Sequence, residues 1–526
     1  MRFFNTAGPV RCEDHYCIPP LERWDMEEIL MLIDQKKYFV LHAPRQTGKT
    51  SCLLALTDYL NNEGKYRCLY VNVEMAQAAR ENINEGIRTI LGEAASRARF
   101  LFKDALLEEI CQDVLKQRAE AGALNEVLTR WSEKSSEPLV ILIDEIDSLV
   151  GDTLISVLRQ LRAGYDKRPH QFPQSIILCG VRDVRDYRIH SDMEKAVITG
   201  GSAFNIKAKS LRMGDFSKQE IRGLYQQHTK ETGQIFDDSV ADFVWEYTEG
   251  QPWLVNALGY EACFEIKESR ERQKPITPEI MLQAKENLIL RRDTHIDQLA
   301  DKLSEERVRR VIAPILAGIG APRDLPEDDL SYVRDLGLIK IQGNARIANR
   351  IYQEVIPRAL TYGTQVTITH DSAWYVRKDG RLDMNLLISA FQEFFREHSQ
   401  SWEERFQYKE AGPQLLMQAF LQRIVNSGGR VEREYGLGRG RTDLIVIWQH
   451  ETGVQKTVIE LKVRRNEGLE TIIKDGLGQT YEYMDKCGTG EGHLVIFDKD
   501  DKKTWEEKIF QRSEMYQGID ITVWGM

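Results

Sequence analysis

Apolar residues along the first two hundred positions come in short unbroken runs rather than in alternation. The runs open "YFVLHAPRQTGKTSCLLAL", centre "RCLYVNVE", lead "PLVILIDEIDSL" and fill "QSIILCGVRD". Unbroken apolar runs of strand length mark strands covered on both faces, and the long stretches of helical period between them supply crossover helices. The expectation is an α/β domain built on a parallel sheet.

Farther along, "RVRRVIAPILAG" reads as a helix and "EDDLSYVRDLGLI" as a second helix ending at Gly337. "LIKIQGNARIAN" reads as a hairpin turning at Gly343 and Asn344. Helices followed by a small hairpin suggest a winged helix, and the acidic "PEDD" at its surface favours a relay of motion over contact with phosphate. "THDSAWYVRKDGR" is a connector and "MNLLISAFQEFFREH" a bridging helix. "KEAGPQLLMQAFLQRIVNSGG" is an amphipathic helix from near Glu410 that stops at Gly428 and Gly429. Three strands follow in quick succession, "RVEREYGL", "RTDLIVIW" and "KTVIELKV", with turns around "GRGR" and "HETG". Expected boundaries are 1–210 for the α/β core, 211–294 for a helical lid, 295–361 for the winged-helix-like module, 362–384 for the connector and 385–526 for the last domain.

Composition narrows the classes. A chain of 526 residues, 42% hydrophobic, can fill several separate cores. No apolar run approaches the roughly 20 residues that span a bilayer, and "MRFFNTAGPV" lacks the apolar core of a secretory signal, so a soluble cytoplasmic protein is expected. The net charge of −10 leaves nucleic acid to be met by a local basic patch. The eight cysteines contain no C-x-x-C pair. Cys12, His15 and Cys17 have no second ligand pair at useful spacing, and the scatter argues against a disulfide framework, so most cysteines are expected to be reduced thiols.

Two stretches carry nucleotide chemistry. "APRQTGKT" follows the phosphate-loop pattern, with Ala43 where a glycine usually stands, and lies between a strand and a helix. Pro44, Arg45, Gln46, Thr47, Gly48, Lys49, Thr50 and Ser51 form the candidate cradle. Gly48 lets backbone N–H groups close on phosphate, Lys49 reaches the β- and γ-phosphates, and Thr50 can ligate Mg²⁺. "LIDEID" ends a buried strand in two carboxylates, of which Asp144 would hold Mg²⁺ and Glu145 would polarise the attacking water. Arg182 and Asp183 end a later strand where a γ-phosphate could be sensed. Arg159, Arg162 and Arg185 are candidate arginine fingers between subunits.

These motifs, with "EGQPWLVNAL", give residues 1–360 a resemblance to the AAA+ and STAND group of P-loop ATPases. The resemblance implies ATP binding and hydrolysis, a lid in which Gly250 and Pro252 touch the adenine, and oligomer formation. "HYCIPPLERW" resembles the adenine-side box of the same group. A conventional AAA+ lid offers an arginine to the γ-phosphate; none stands at this point in the lid.

In "VIELKV" a glutamate and a lysine interrupt an apolar strand. Glu460 and Lys462 share one face while Ile459, Leu461 and Val463 line the other. Ordinary charge on an exposed edge strand is the plain alternative. Asp443 begins the neighbouring strand, so two carboxylates and a lysine can converge at one edge of the sheet, an arrangement that a hard cation between the acids would relieve. Asp443, Glu460 and the backbone carbonyl of Leu461 are the candidate ligands of Mg²⁺ or Mn²⁺, with Lys462 toward a phosphate. The order of helix, meander, D…E-x-K, helix and strand resembles the PD-(D/E)XK nuclease fold over the last 130 or so residues, with Thr442 in place of its proline. That resemblance adds Glu410 as a further acid, and Gln479 with Tyr483 as a pair facing the phosphate. Arg430, Arg433, Arg439, Arg441, Arg464 and Arg465 supply a basic surface for DNA or RNA.

The resulting expectation is an ATP-regulated, metal-dependent nuclease acting in prokaryotic defence, without a membrane partner, as a homo-oligomer with a separate sensor or trigger protein. The alternative is an ATPase switch whose nuclease-like domain only binds nucleic acid or protein.

Overall fold

The computed structural model describes residues 1–117, 120–183, 187–191, 196–291, 301–303, 305–316, 325–360, 375–405, 413, 416–418, 420–421, 429–435, 442–450, 453–464, 467–500 and 503–526. They belong to two compact units, Met1–His295 with Arg334–Gly337, and Ile296–Val333 with Leu338–Met526. No helix among the described residues is long and apolar enough to cross a membrane.

Two short strands open the first unit, β1 (Phe3–Phe4) and β2 (His15–Tyr16), paired in parallel. The central sheet holds β3 (Tyr38–His42), β4 (Arg67–Asn72), β5 (Leu139–Asp144), β6 (Ser175–Gly180) and β9 (Lys207–Arg212) in the order β4-β5-β6-β3-β9, every pair parallel. A separate antiparallel pair, β7 (Arg188–Ser191) and β8 (Ala196–Thr199), precedes β9. All residues of β3, β5 and β6 are buried, because helices cover both faces. Tyr38, Val40, Ile141, Ile143 and Leu178 pack on one side, and Phe39, Leu41, Val140, Leu142 and Ile177 on the other. The unbroken apolar runs of the sequence are thus two alternating faces, each with its own core.

Beyond β9 a helical lid follows, with helices Lys218–Thr232, Val240–Thr248, Pro252–Tyr260 and Pro278–Arg291. The amino-terminal arm folds against it: Phe4 and Tyr16 are fully buried and pack edge-on with Tyr225 and His228. Gln227 clamps the arm by donating to the Cys17 carbonyl at 2.7 Å and accepting from its N–H at 3.1 Å. Cys12 and Cys17 form a disulfide, their Cα atoms 5.4 Å apart, which corrects the expectation of free thiols. A turn in which Asp14 and His15 donate to the Arg11 carbonyl brings the two cysteines together, something residue spacing alone does not reveal. Cys52, Cys68, Cys111, Cys179, Cys263 and Cys487 are free.

In the second unit, helices Glu306–Leu316 and Arg350–Leu360, and Glu327–Asp335 up to Val333, accompany the antiparallel hairpin β10 (Ile339–Gln342) and β11 (Asn344–Ile347), which turns at Gly343 with φ +79°. The six-stranded sheet that follows contains β12 (Gly429–Tyr435), β13 (Thr442–His450), β14 (Gly453–Arg464), β15 (Gly492–Asp498), β16 (Phe510–Tyr516) and β17 (Ile519–Gly525), ordered β12-β13-β14-β15-β17-β16. β12, β13 and β14 form an antiparallel meander, and β15 adds to β14 in parallel after the crossover helix Leu469–Cys487. That helix packs through Ile472, Ile473, Leu477 and Met484 onto Val458, Leu494 and Val523. On the opposite face Phe395 of the helix Met384–Arg405 meets Phe497 edge-on.

Candidate active sites

The nucleotide motifs meet where β3 and β5 end. Gly48, at φ +94°, lets the chain turn straight into the helix Lys49–Glu63, which leaves the first N–H groups of that helix open to an anion. Lys49 is buried, and its ammonium donates to the carbonyls of Ala43 at 2.9 Å and Pro44 at 3.0 Å, so the loop carries its own cation inside its curve. Arg45 and Gln46 stand exposed on the loop, Thr47 donates to the Pro44 carbonyl, and Ser51 accepts from the Val10 N–H.

Thr50 donates to Asp144 Oδ2 at 2.7 Å, and the Tyr70 hydroxyl donates to the same oxygen at 2.9 Å. Asp144 is fully buried, and its other oxygen accepts from the Glu145 N–H. This pairing of a hydroxyl with a dehydrated carboxylate offers the hard oxygen donors that suit Mg²⁺. Glu145 adopts a left-handed φ of +58°. Burial first, then the neighbouring charges of Asp147 and Asp144, hold its carboxyl above the usual glutamate range, against the opposing pull of Lys49 and Arg45. A carboxylate so raised is better matched to accepting a proton near neutral pH.

Asp183 is committed elsewhere, gripped by Lys207 through both oxygens at 2.7 and 2.6 Å. Arg182 lies with its guanidinium 6.0 Å from the Tyr187 ring centroid. Arg162 donates to the Ser202 carbonyl, Arg159 borders a separate shallow hollow, and Arg185 lies outside the described residues.

Beside the phosphate loop a pocket of about 700 Å³, counting its open mouth, lies between the amino-terminal arm, the loop and the lid. Pro20 and Arg23 of the arm line it with Pro252, Trp253 and Asn256 of the lid. Arg23 joins the parts by donating to the Thr47 carbonyl at 3.2 Å and the Gly214 carbonyl at 2.7 Å, with its guanidinium 4.5 Å from the Phe216 ring centroid. Trp253 donates to the Thr6 carbonyl at 2.8 Å. The sequence reading singled out Gly250 and Pro252 in "EGQPWLVNAL" but not its Trp253 or Asn256, nor Tyr70, because the motif does not say which side chains reach the pocket. Proline at the first helical turn and the Gln251 cap that receives the Leu254 N–H start the helix on the pocket wall.

Residues 33–187 match the family described as AAA domain. The N-terminal part is an AAA-type P-loop ATPase domain. Solved structures similar to the chain include the Walker-type ATPase PABY2304 of Pyrococcus abyssi, at 15% identity and a TM-score of 0.47, covering 67% of this chain and 99% of that one. Cdc6p of Pyrobaculum aerophilum aligns at 13% identity and a TM-score of 0.35, covering 65% and 93% respectively. A Thermotoga maritima RuvB variant aligns at 12% and 0.34, covering 63% and 93%. A search of curated proteins gave no match. The family match supports ATP binding and ATPase activity for the AAA domain.

The second cluster lies in the carboxyl-terminal sheet. Asp443 on β13 is the direct register partner of Glu460 on β14. Glu460 has no exposed surface, and Lys462 Nζ sits 2.6 Å from its Oε1. Gln479, on the crossover helix, accepts from the same ammonium. β14 is paired on both sides, by β13 and β15, so the charges meet inside the sheet, not at its edge, and the plain reading of surface charge on an edge strand does not hold. Leu461 is buried on the other face. Tyr483 packs in the core with Ile473 and Met484. Arg464 is tied to Asp498 at 2.7 Å. Glu410, Arg439, Arg441 and Arg465 lie outside the described residues, as do the side chains of Asp443, Arg430 and Arg433. Among the described residues no group of three or more His, Cys, Asp or Glu side chains is arranged to hold a metal ion.

Proposed function

We propose that this chain is an ATP-regulated, metal-dependent nuclease in which the AAA domain turns over ATP and the carboxyl-terminal sheet hydrolyses DNA phosphodiesters. The observation that carries the reading is the buried Glu460, placed in register with Asp443 and joined through Lys462 to Gln479. A dehydrated carboxylate inside a sheet is costly unless a cation compensates it. The oxygens of Asp443, Glu460 and the Leu461 carbonyl suit Mg²⁺ or Mn²⁺, which when bound would polarise the phosphodiester and acidify a water. Lys462 would then turn from Glu460 toward the scissile phosphate, with Gln479 holding its ammonium in place. In the AAA domain Lys49 would neutralise the β- and γ-phosphates, Thr50 and Asp144 would hold Mg²⁺, and Glu145 would take the proton of the attacking water. RNA is the alternative substrate, self-association and a separate trigger protein are the expected partners, and defence against foreign DNA is the setting that this pairing of domains suggests.

One observation favours the second reading, an ATPase switch whose last domain only docks: Glu460 and Lys462 already form an ion pair, as structural pairs do. Cleavage of linear, circular and single-stranded DNA and of RNA, with and without ATP and Mg²⁺ or Mn²⁺, distinguishes them. Asp443→Ala, Glu460→Ala and Lys462→Ala should each remove cleavage from a folded protein while ATP hydrolysis persists. Folded variants that cut at the parent rate, or a parent that cuts nothing, would leave the docking reading.

A further inference from the structure

Most polar groups around the pocket beside the phosphate loop are engaged within the protein. Ser51 receives the Val10 N–H, Thr47 donates to the Pro44 carbonyl, Trp253 donates to the Thr6 carbonyl, and the Tyr16 hydroxyl meets His228 Nδ1 at 3.1 Å. Asn256 differs. It lines the pocket, and its Nδ2 donates to the Pro252 carbonyl at 2.8 Å, one helical turn back. A carbonyl can only accept, so this contact fixes which end of the amide faces the helix. Asn256 Oδ1 is left as a solvent-sealed acceptor without a hydrogen-bond partner.

A sealed acceptor on a residue that lines a pocket is a standing cost unless a small shift of the side chain lets a ligand donor meet it. Nucleotides differ at the corresponding point: adenine presents an amine on C6, whereas hypoxanthine and guanine present a carbonyl oxygen there. We propose that Asn256 is the base-reading residue of the AAA domain, with Oδ1 accepting from the exocyclic amine of adenine and repelling a 6-oxo purine. The inference rests on ATP binding by this domain and adds the atom that selects the base. Because Nδ2 is held by the Pro252 carbonyl, turning the amide over to donate to a 6-oxo group would set Oδ1 against that carbonyl. A buried group built to pair with one ligand group discriminates strongly against a ligand lacking it.

Calorimetric titration of the full chain with ATP, inosine triphosphate and inorganic tripolyphosphate tests this, for the parent and for Asn256→Ala. The parent should bind ATP tighter than inosine triphosphate by about tenfold or more. Asn256→Ala should bring the two within about threefold of each other and leave tripolyphosphate affinity unchanged, since the phosphate cradle is untouched. A preference for ATP that survives the substitution, or a parallel fall in tripolyphosphate binding, would overturn the assignment. A parent that binds ATP and inosine triphosphate alike would overturn the base reading alone. One that binds neither would remove the ATP site together with it.

Discussion

Gly250 makes the coupling between lid and phosphate loop measurable. It sits at φ +81°, and a Cβ placed there would fall 1.9 Å from the Phe216 carbonyl oxygen and 3.0 Å from the Trp245 ring. Its own carbonyl accepts from the Phe216 N–H at 2.8 Å. Gly250→Ala therefore meets a left-handed backbone penalty of about 1–2 kcal/mol. It also meets an overpacking cost of about 1–3 kcal/mol, because the clash is with backbone that cannot rotate away. The strained hydrogen bond to Phe216 adds about 1 kcal/mol. Together these come to about 3–6 kcal/mol, which for a unit of this size lowers the melting temperature by on the order of 10 °C. The displacement reaches further, because Phe216 supports the Arg23 guanidinium, and Arg23 holds the Thr47 carbonyl of the phosphate loop. ATP affinity should fall with stability. Differential scanning fluorimetry with and without ATP gives both numbers. A Gly250→Ala protein melting within 2 °C of the parent (about 1 kcal/mol or less), with unchanged ATP stabilisation, would refute the argument.

Three further outcomes can be checked on the same protein. Lys49→Ala should weaken ATP binding more than tenfold (about 1.4 kcal/mol) or abolish turnover, because the cradle loses the ammonium buried in its curve; an unchanged ATPase rate would remove the phosphate-loop assignment. Glu145→Gln should keep ATP binding and lose hydrolysis, and in the parent the acid limb of kcat/KM should lie above the ordinary glutamate range, since burial and the nearby acids raise Glu145 and protonation removes the base. Burial lowers the His493 pKa to about 4, and its Nδ1 accepts from Trp524 Nε1 at 3.2 Å. The unfolded chain then binds the extra proton between about pH 6.5 and pH 4. Stability should therefore fall by up to about 3 kcal/mol as pH drops through that window, and His493→Gln should flatten the slope of denaturant midpoint against pH.

Local chemistry was readable in the sequence because it is written in contiguous residues. A strand, a turn able to take positive φ at Gly48, and a helix beginning at Lys49 need fewer than twenty positions. The same holds for a buried strand ending in Asp144 and Glu145, and for the hairpin turning at Gly343. Glu460 and Lys462 announced a shared face through the two-residue period of a strand. Their surroundings did not follow from that period. The burial of Glu460 depends on β15 adding to the far side of β14 after the crossover helix, and the contact of Lys462 with Gln479 depends on how that helix packs. The resemblance named the two stretches that wall the pocket beside the phosphate loop, but only the fold shows which of their side chains meet there, joining Pro20 and Arg23 to Pro252 and Asn256 across more than two hundred residues. Arg23, Trp253 and Asn256 lie in the quoted stretches "HYCIPPLERW" and "EGQPWLVNAL", but what each side chain meets, a distant carbonyl for Arg23 and Trp253, depends on the fold. Cys12 and Cys17 became a disulfide through a turn built on the Arg11 carbonyl. Short-range sterics and periodicity act within one element and leave a mark on its residues. Pairing partners, burial and the closing of one segment over another arise from contacts between distant elements, and those exist only once the chain has folded.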